Sequence, residues 1–257
     1  MTETSEPLVP PAPTVNALRM EDPWSWLAKG WADIKRSPMP SLAYGLSFVA
    51  AGALITAGLW WAGLDSVIPA AAASFALVGP VLAIGLYEIS RRHERGQPVT
   101  LAGALKARPP SLVQFGFVAF FLMFGILVWM RIATLLVALF LGSTYPPLPE
   151  FMAFLVSTRS GLTMLVIGSL TGGVIAFAIY ALSVVSMPLL LDRDVDGVTA
   201  IISSVQSVRK NFAPMMLWAW LIASLIALGF VTVGVGLIVI FPLLGHASWH
   251  AYRSALK

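Results

Sequence analysis

The chain has 257 residues, of which 58% are hydrophobic and 11% charged, against roughly 25% charged in ordinary soluble domains. A net charge of +4 comes from short basic clusters beside long apolar runs, which argues for a membrane surface and against a nucleic-acid partner. With no cysteine there is no disulfide, thiolate metal site, cysteine nucleophile or iron–sulfur cluster.

Residues 1–23 carry five prolines and little to bury, and read as a disordered cytoplasmic tail without the layout of a signal peptide. Over 24–36, Trp24, Leu27, Ala28, Trp31 and Ile34 share one helical face, with Lys29, Asp33 and Arg36 opposite. That pattern predicts an interfacial helix lying in the membrane plane. Pro38 and Pro40 stop it, because each removes an N–H and restricts its predecessor. The first span is expected at about 41–62 and the second at about 67–89, ending in YEISRRHER.

The same arrangement recurs twice. A shorter surface segment at 99–108 precedes Pro109 and Pro110, then an apolar run from Ser111 to Gly142. Those 32 residues make a helix of about 48 Å, longer than a bilayer core of about 30 Å. The third span is placed at 111–141, with Arg131 reaching the far interface and the remainder tilting or projecting. A loop, STYPPLPEFMAFLVSTR, leads to a fourth span at about 161–190. A third surface helix follows at 197–210, with Val198, Ile201, Ile202, Val205 and Val208 on one face. The apolar stretch from Met215 to Trp249 is too long for one crossing, so spans five and six are set at about 213–230 and 233–250.

The expected fold is therefore all-α and polytopic: six transmembrane helices as three hairpins, each preceded by a cytoplasmic interfacial helix, forming a membrane domain over 24–257. Of the 16 Lys and Arg residues, 14 fall on one side of this map, and only Arg131 and Arg159 on the other. The bias puts both termini in the cytoplasm of a bacterial inner membrane. Trp24, Trp26, Trp31, Trp60, Trp61, Trp218 and Trp249 lie near span ends, where indole rings favour the interface. The even-numbered spans carry GPVL, MPLL and FPLL shortly before a polar exit, which suggests a degenerate threefold repeat.

Candidate chemistry gathers at those exits, in Glu88, Arg91, Asp192, Asp196, His246, His250 and Arg253. His246 and His250 are one turn apart, the spacing of helical metal or haem ligands, and His93 lies on the same side. No carboxylate in that segment supplies a third ligand, and an amphipathic helix exit explains the pair equally. Asp192, Asp194, Asp196 and Gly197 spell the first half of a calcium loop, but Ser203 stands where a bidentate glutamate belongs. Asp196 as a helix cap is the simpler reading. Glu88 beside Arg91 and Arg92 reads as a paired interfacial carboxylate or as a proton or substrate site.

By this map no Asp, Glu, Lys or His sits mid-span, which argues against an ion-coupled transporter. No P-loop, GxSxG or HExxH is present, so neither an enzyme nor a cofactor is expected. Small residues at Ala50–Ala53, Ala70–Ala73 and Gly168–Gly173 suit close helix packing.

The segments GPVLAIGLYEISRRHERG, SMPLLLDRDVD and FPLLGHASWHAYR resemble a bacterial family of predicted integral membrane proteins, domain of unknown function 2189, from about Trp24 to Arg253. The resemblance implies an inner-membrane protein and carries over no catalytic residue. Some relatives are labelled putative cytochrome c oxidase subunits, which for this chain implies an accessory role. Three readings stay open. The first is a non-catalytic accessory, assembly or scaffolding component with a membrane-protein partner or self-association. The second is a channel or carrier for an uncharged or amphiphilic solute. The third is a haem or metal protein through His246 and His250.

Overall fold

The computed structural model describes residues 13–142 and 145–257, and among them every regular element is a helix, with one isolated bridge between Val15 and Leu256. Helix α1 is Asp22–Arg36, and α2, Pro38–Trp61, starts directly after it at the expected proline break. A 3-10 turn at Asp65–Val67 opens α3 (Ile68–Leu77), α4 (Gly79–Leu82) and α5 (Ile84–Glu94). Next come α6 (Leu101–Leu105), α7 (Leu112–Leu141), α8 (Leu148–Ser157), α9 (Arg159–Ser183) and α10 (Ser186–Asp192). The chain closes with α11 (Gly197–Lys210), α12 (Phe212–Val231) and α13 (Leu237–Ala255).

Four segments are long and apolar enough to cross a membrane: Pro38–Trp61, Leu112–Leu141, Arg159–Asp192 and Phe212–Val231. The second and sixth expected spans differ for identifiable reasons. The second is interrupted at Val78 and Ala83, around Pro80, so no single long helix forms. The sixth is a continuous helix through Pro242, but its last three turns carry His246, His250 and Arg253. The expected 143–160 loop contains α8, whose Phe151 and Leu155 are buried with Val137 and Met164. Thr158 then caps α9, accepting from the Gly161 amide at 2.9 Å.

Each of the three expected surface segments carries a short helix that meets the bundle along one side. α1 buries Pro23, Trp26, Gly30, Asp33 and Ile34, while Trp24 and Trp31 face outward. α11 buries Gly197, Ala200, Ser203, Ser204 and Ser207, and exposes Val198 and Ile202. α6 buries Ala104 and leaves Leu105 out. Small or polar residues make up much of each buried side, together with Trp26, Ile34 and Val208, while Trp24, Trp31, Leu105, Val198 and Ile202 point away from the bundle. Each of these helices precedes a long apolar helix: α2, α7 or α12.

The main core lies at the end of the bundle holding these short helices. Trp26, Trp218 and Trp249, expected at a membrane interface, are fully buried there, with Trp26 and Trp218 packed edge to face at 5.6 Å. Tertiary packing overrides the interfacial preference, because α13 enters the bundle between α1, α2 and α5. Two glycines allow it. A Cβ at Gly30 would lie 2.9 Å from the Ala247 amide nitrogen, and one at Gly45 would overlap the Ile238 carbonyl.

Of the expected tail, residues 1–12 lie outside the described residues, and the remainder docks against both the C-terminus and α11. The Asn16 amide donates to the Ala255 carbonyl at 2.9 Å, and Lys257 N–H to the Thr14 carbonyl at 3.1 Å. Asn211 accepts from the Leu18 amide at 2.8 Å and donates to the Asn16 carbonyl at 2.9 Å.

Candidate functional site

The structure gathers all three histidines of the chain around a carboxylate that sequence reasoning placed on the solvent face of α1. Asp33 is only 8% exposed. Its Oδ1 faces His93 Nδ1 at 2.9 Å, and its Oδ2 faces His250 Nε2 at 2.9 Å. Ser90 donates its hydroxyl to Oδ2 at 2.7 Å. Each element contributes by helical spacing: Ser90 and His93 are one turn apart on α5, as are His246 and His250 on α13.

The carboxylate fixes the ring tautomers of the cluster. His93 donates from Nδ1, so its Nε2 accepts from Ser37 Oγ at 2.8 Å. Ser90 gives its proton to Asp33, so its oxygen accepts from His246 Nδ1 at 2.8 Å. His246 Nε2 is then an acceptor for Ser41 Oγ at 3.0 Å. The result is a directed chain, Ser41 to His246 to Ser90 to Asp33, in which Ser41, Ser90 and His246 are all 0% exposed. Burial alone would push the Asp33 carboxyl up. The hydrogen bonds from His250, Ser90 and His93 outweigh it and hold the group well below the usual carboxylate range.

Two further carboxylates flank this centre. Glu88, 5% exposed, accepts from Arg91 Nε at 2.8 Å and Arg92 Nε at 2.6 Å. Arg91 also donates to the Leu191 carbonyl at 2.7 Å, tying α5 to α10. Asp192 accepts from the Tyr252 hydroxyl at 2.8 Å and from Arg95 at 3.1 Å, with Arg253 at 3.5 Å. Burial, with Asp192 adding to it, pushes the Tyr252 hydroxyl up, so it stays a donor. Arg253 also reaches Glu94 at 3.2 Å.

Of the residues picked out in the sequence, Glu88, Arg91, His93, Asp192, His246, His250 and Arg253 come together at one end of the bundle. Asp196 stands apart as the cap of α11, accepting from the Thr199 amide at 2.8 Å. The Thr199 hydroxyl, with that amide, holds its carboxyl below its ordinary value. Asp33, Ser41 and Ser90 were missed. Asp33 sits 57 residues from Ser90 and 217 from His250 in sequence, so no local pattern marks it. Its one clue is an acidic residue among the lysines and arginine of α1's polar stripe.

Among the described residues no group of three or more His, Asp or Glu side chains is arranged to hold a metal ion. Five of the six imidazole nitrogens meet Asp33, Ser37, Ser41 or Ser90 at hydrogen-bond distance, leaving no common centre for a cation. What the arrangement does chemically is fix position: one buried negative charge, fully supplied with donors, joins α1, α5 and α13, and Ser41 extends the chain to α2.

Residues 67–192 match a family described as a predicted integral membrane protein. No curated protein and no solved structure matches the chain. The matched segment includes Glu88, Arg91 and Asp192, whereas Asp33, His246 and His250 fall outside it. Four apolar helices of membrane-crossing length agree with that description. Over residues 67–192, just under half of its length, the chain thus matches the DUF2189 family of predicted integral membrane proteins.

Proposed function

We propose that the protein is a non-catalytic inner-membrane component that packs against a membrane-protein partner or a second copy of itself, in an accessory or assembly role such as one beside a respiratory oxidase. In this reading the segment from Asp65 to Glu94 and α13 also cross, which completes three hairpins with both termini in the cytoplasm. The outward apolar faces of α1, α6 and α11 support it, since such faces beside lysine and arginine suit the headgroup layer. The basic end of the bundle would then lie in the cytoplasm.

One observation carries the partner reading. In the outer half of α2, residues 50–61, nine of twelve residues are exposed and none is buried. A crossing helix normally seats one side on its neighbours. Here Ala50, Ala51, Ala53 and Gly58 leave backbone open to close approach, and nothing lies within 4 Å of the space a Cβ at Gly58 would fill. The non-catalytic reading is supported by the polar cluster, whose groups are all engaged with one another. A polar conduit has less support, because Val118, Leu122, Ile126 and Ile179 fill the space between α7 and α9. A haem or metal role for His246 and His250 competes with their bonds to Ser90, Ser41 and Asp33.

Extraction at native expression into lipid nanodiscs, followed by mass measurement, tests the proposal. A co-purifying membrane protein or a dimer is expected, lost in Gly58→Leu with the monomer fold intact. A solitary monomer in every preparation would remove it.

A further inference from the structure

Two serine–histidine pairs in the cluster differ in what stands behind the ring and in access. Ser41 donates to His246 Nε2 at 3.0 Å, but both residues are 0% exposed, and the far ring nitrogen meets a second serine, Ser90. Ser37 donates to His93 Nε2 at 2.8 Å, and the far ring nitrogen, Nδ1, meets the Asp33 carboxylate at 2.9 Å. That second set is a hydroxyl, an imidazole that accepts its proton, and a buried carboxylate that fixes the imidazole tautomer. It is the order of a nucleophile, its base and the group that positions the base. Unlike Ser41, Ser37 is only partly buried, and Arg36, Pro38 and Met39 on either side of it are exposed.

Ser37 also holds the N-cap position of α2, where a serine oxygen ordinarily accepts an amide of the first turn. It makes no such bond, and its hydroxyl is turned to His93 instead. Pro38 and Pro40 have no N–H, so Met39 supplies the one amide of that first turn. This amide has no backbone partner among the described residues. Negative charge developing on a carbonyl bonded to Ser37 would therefore form beside the positive end of α2.

We propose that Ser37 is an acyl-accepting nucleophile, with His93 as its base and Asp33 as the residue that positions His93. Oγ attacks the carbonyl of an acyl thioester, and His93 Nε2 takes the hydroxyl proton. The carbon–sulfur bond then breaks, and the imidazolium returns the proton to the departing thiolate. Ser37 is left as an oxygen ester and a thiol is released. The surroundings set the donor class. Exposed Lys35 and Arg36 suit an anionic leaving group, and Met39, 79% exposed, offers apolar contact to a long acyl chain. The chain has no cysteine to compete for the acyl group. A single self-acylation goes beyond the accessory role and does not depend on it.

The test incubates the full chain in phosphatidylcholine nanodiscs with decanoyl coenzyme A and maps the acylated peptides by mass. One decanoyl group per chain is expected, on Ser37 in preference to the other hydroxyls, and lost in Ser37→Ala. His93→Ala should slow acylation roughly 100-fold, and added imidazole should restore part of the rate, which a merely structural loss would not allow. Asp33→Asn should slow it as well, with nitrogen NMR shifts of His93 showing that the Nδ1–H tautomer is lost. Helicity and elution volume check the fold of each variant. A native chain without an adduct on Ser37, or an adduct formed at a rate indifferent to His93, would overturn the proposal. Acylation as fast in Asp33→Asn would remove Asp33 from its part. Free decanoate released beyond one equivalent, and only with Ser37 present, would keep the nucleophile and overturn the non-catalytic reading instead.

Discussion

Gly30 and Ala247 bring α1 and α13 into backbone contact: a Cβ on Gly30 would meet the Ala247 nitrogen and the Leu243 carbonyl, each at 2.9 Å. Neither atom can swing aside, as both belong to helix backbone. Gly30→Val is therefore expected to wedge the two helices apart and cost about 1–3 kcal/mol. Thermal unfolding in a mild detergent reads it, and an unchanged midpoint would show that the contact is looser than described.

Asp33→Asn removes the charge that orders the cluster. The amide presents donors where His93, His250 and Ser90 already donate, so at least one buried N–H or O–H loses its acceptor. A loss of about 2–4 kcal/mol is expected. A variant as stable as the native chain would mean that the three donors find other partners.

Acid should act through the same residue. The folded state holds Asp33 below its ordinary carboxylate value of 3.8, so the unfolded chain takes up its proton first as pH falls. The stabilisation is complete above that value and is lost progressively below it. Unfolding midpoints between pH 6 and pH 3 should fall more steeply for the native chain than for Asp33→Asn. Parallel curves would contradict the assignment.

A chelator gives the opposite kind of check. With each imidazole nitrogen aimed at a serine or a carboxylate, treatment with EDTA is expected to leave the unfolding midpoint where it was. A marked fall, reversed by added zinc, would return His246 and His250 to the role of ligands.

The absence of cysteine makes the chain ready for accessibility mapping. Leu64→Cys and Leu148→Cys are expected to react with an impermeant maleimide in intact cells, and Arg95→Cys only after lysis. The reverse pattern would invert the proposed orientation.

Much of the helical plan could be read from the chain because it is written locally. Prolines at 38, 40, 109 and 110 mark the entries to α2 and α7, and the basic residues mark one end of the bundle. Which face of α1 is buried could not be read this way. Amphipathicity put Trp24 and Trp31 on one face and Asp33 with the basic residues on the other, and it is Gly30 and Asp33 that meet the bundle, because the partner surface is α13, with its small Ala247 and its histidines. The break in the second span is a similar case: Pro80 was visible in the sequence, but the loss of helix at both Val78 and Ala83 was not.

The Asp33 cluster joins α1 to α13, two helices more than 200 residues apart. During synthesis α1 emerges well before α13, and until α13 follows the Asp33 carboxylate has no imidazole from His250 and stays hydrated. Sealing of the bundle thus waits for α13, and a chain truncated before it leaves an open, hydrated acidic notch for quality-control proteases to recognise.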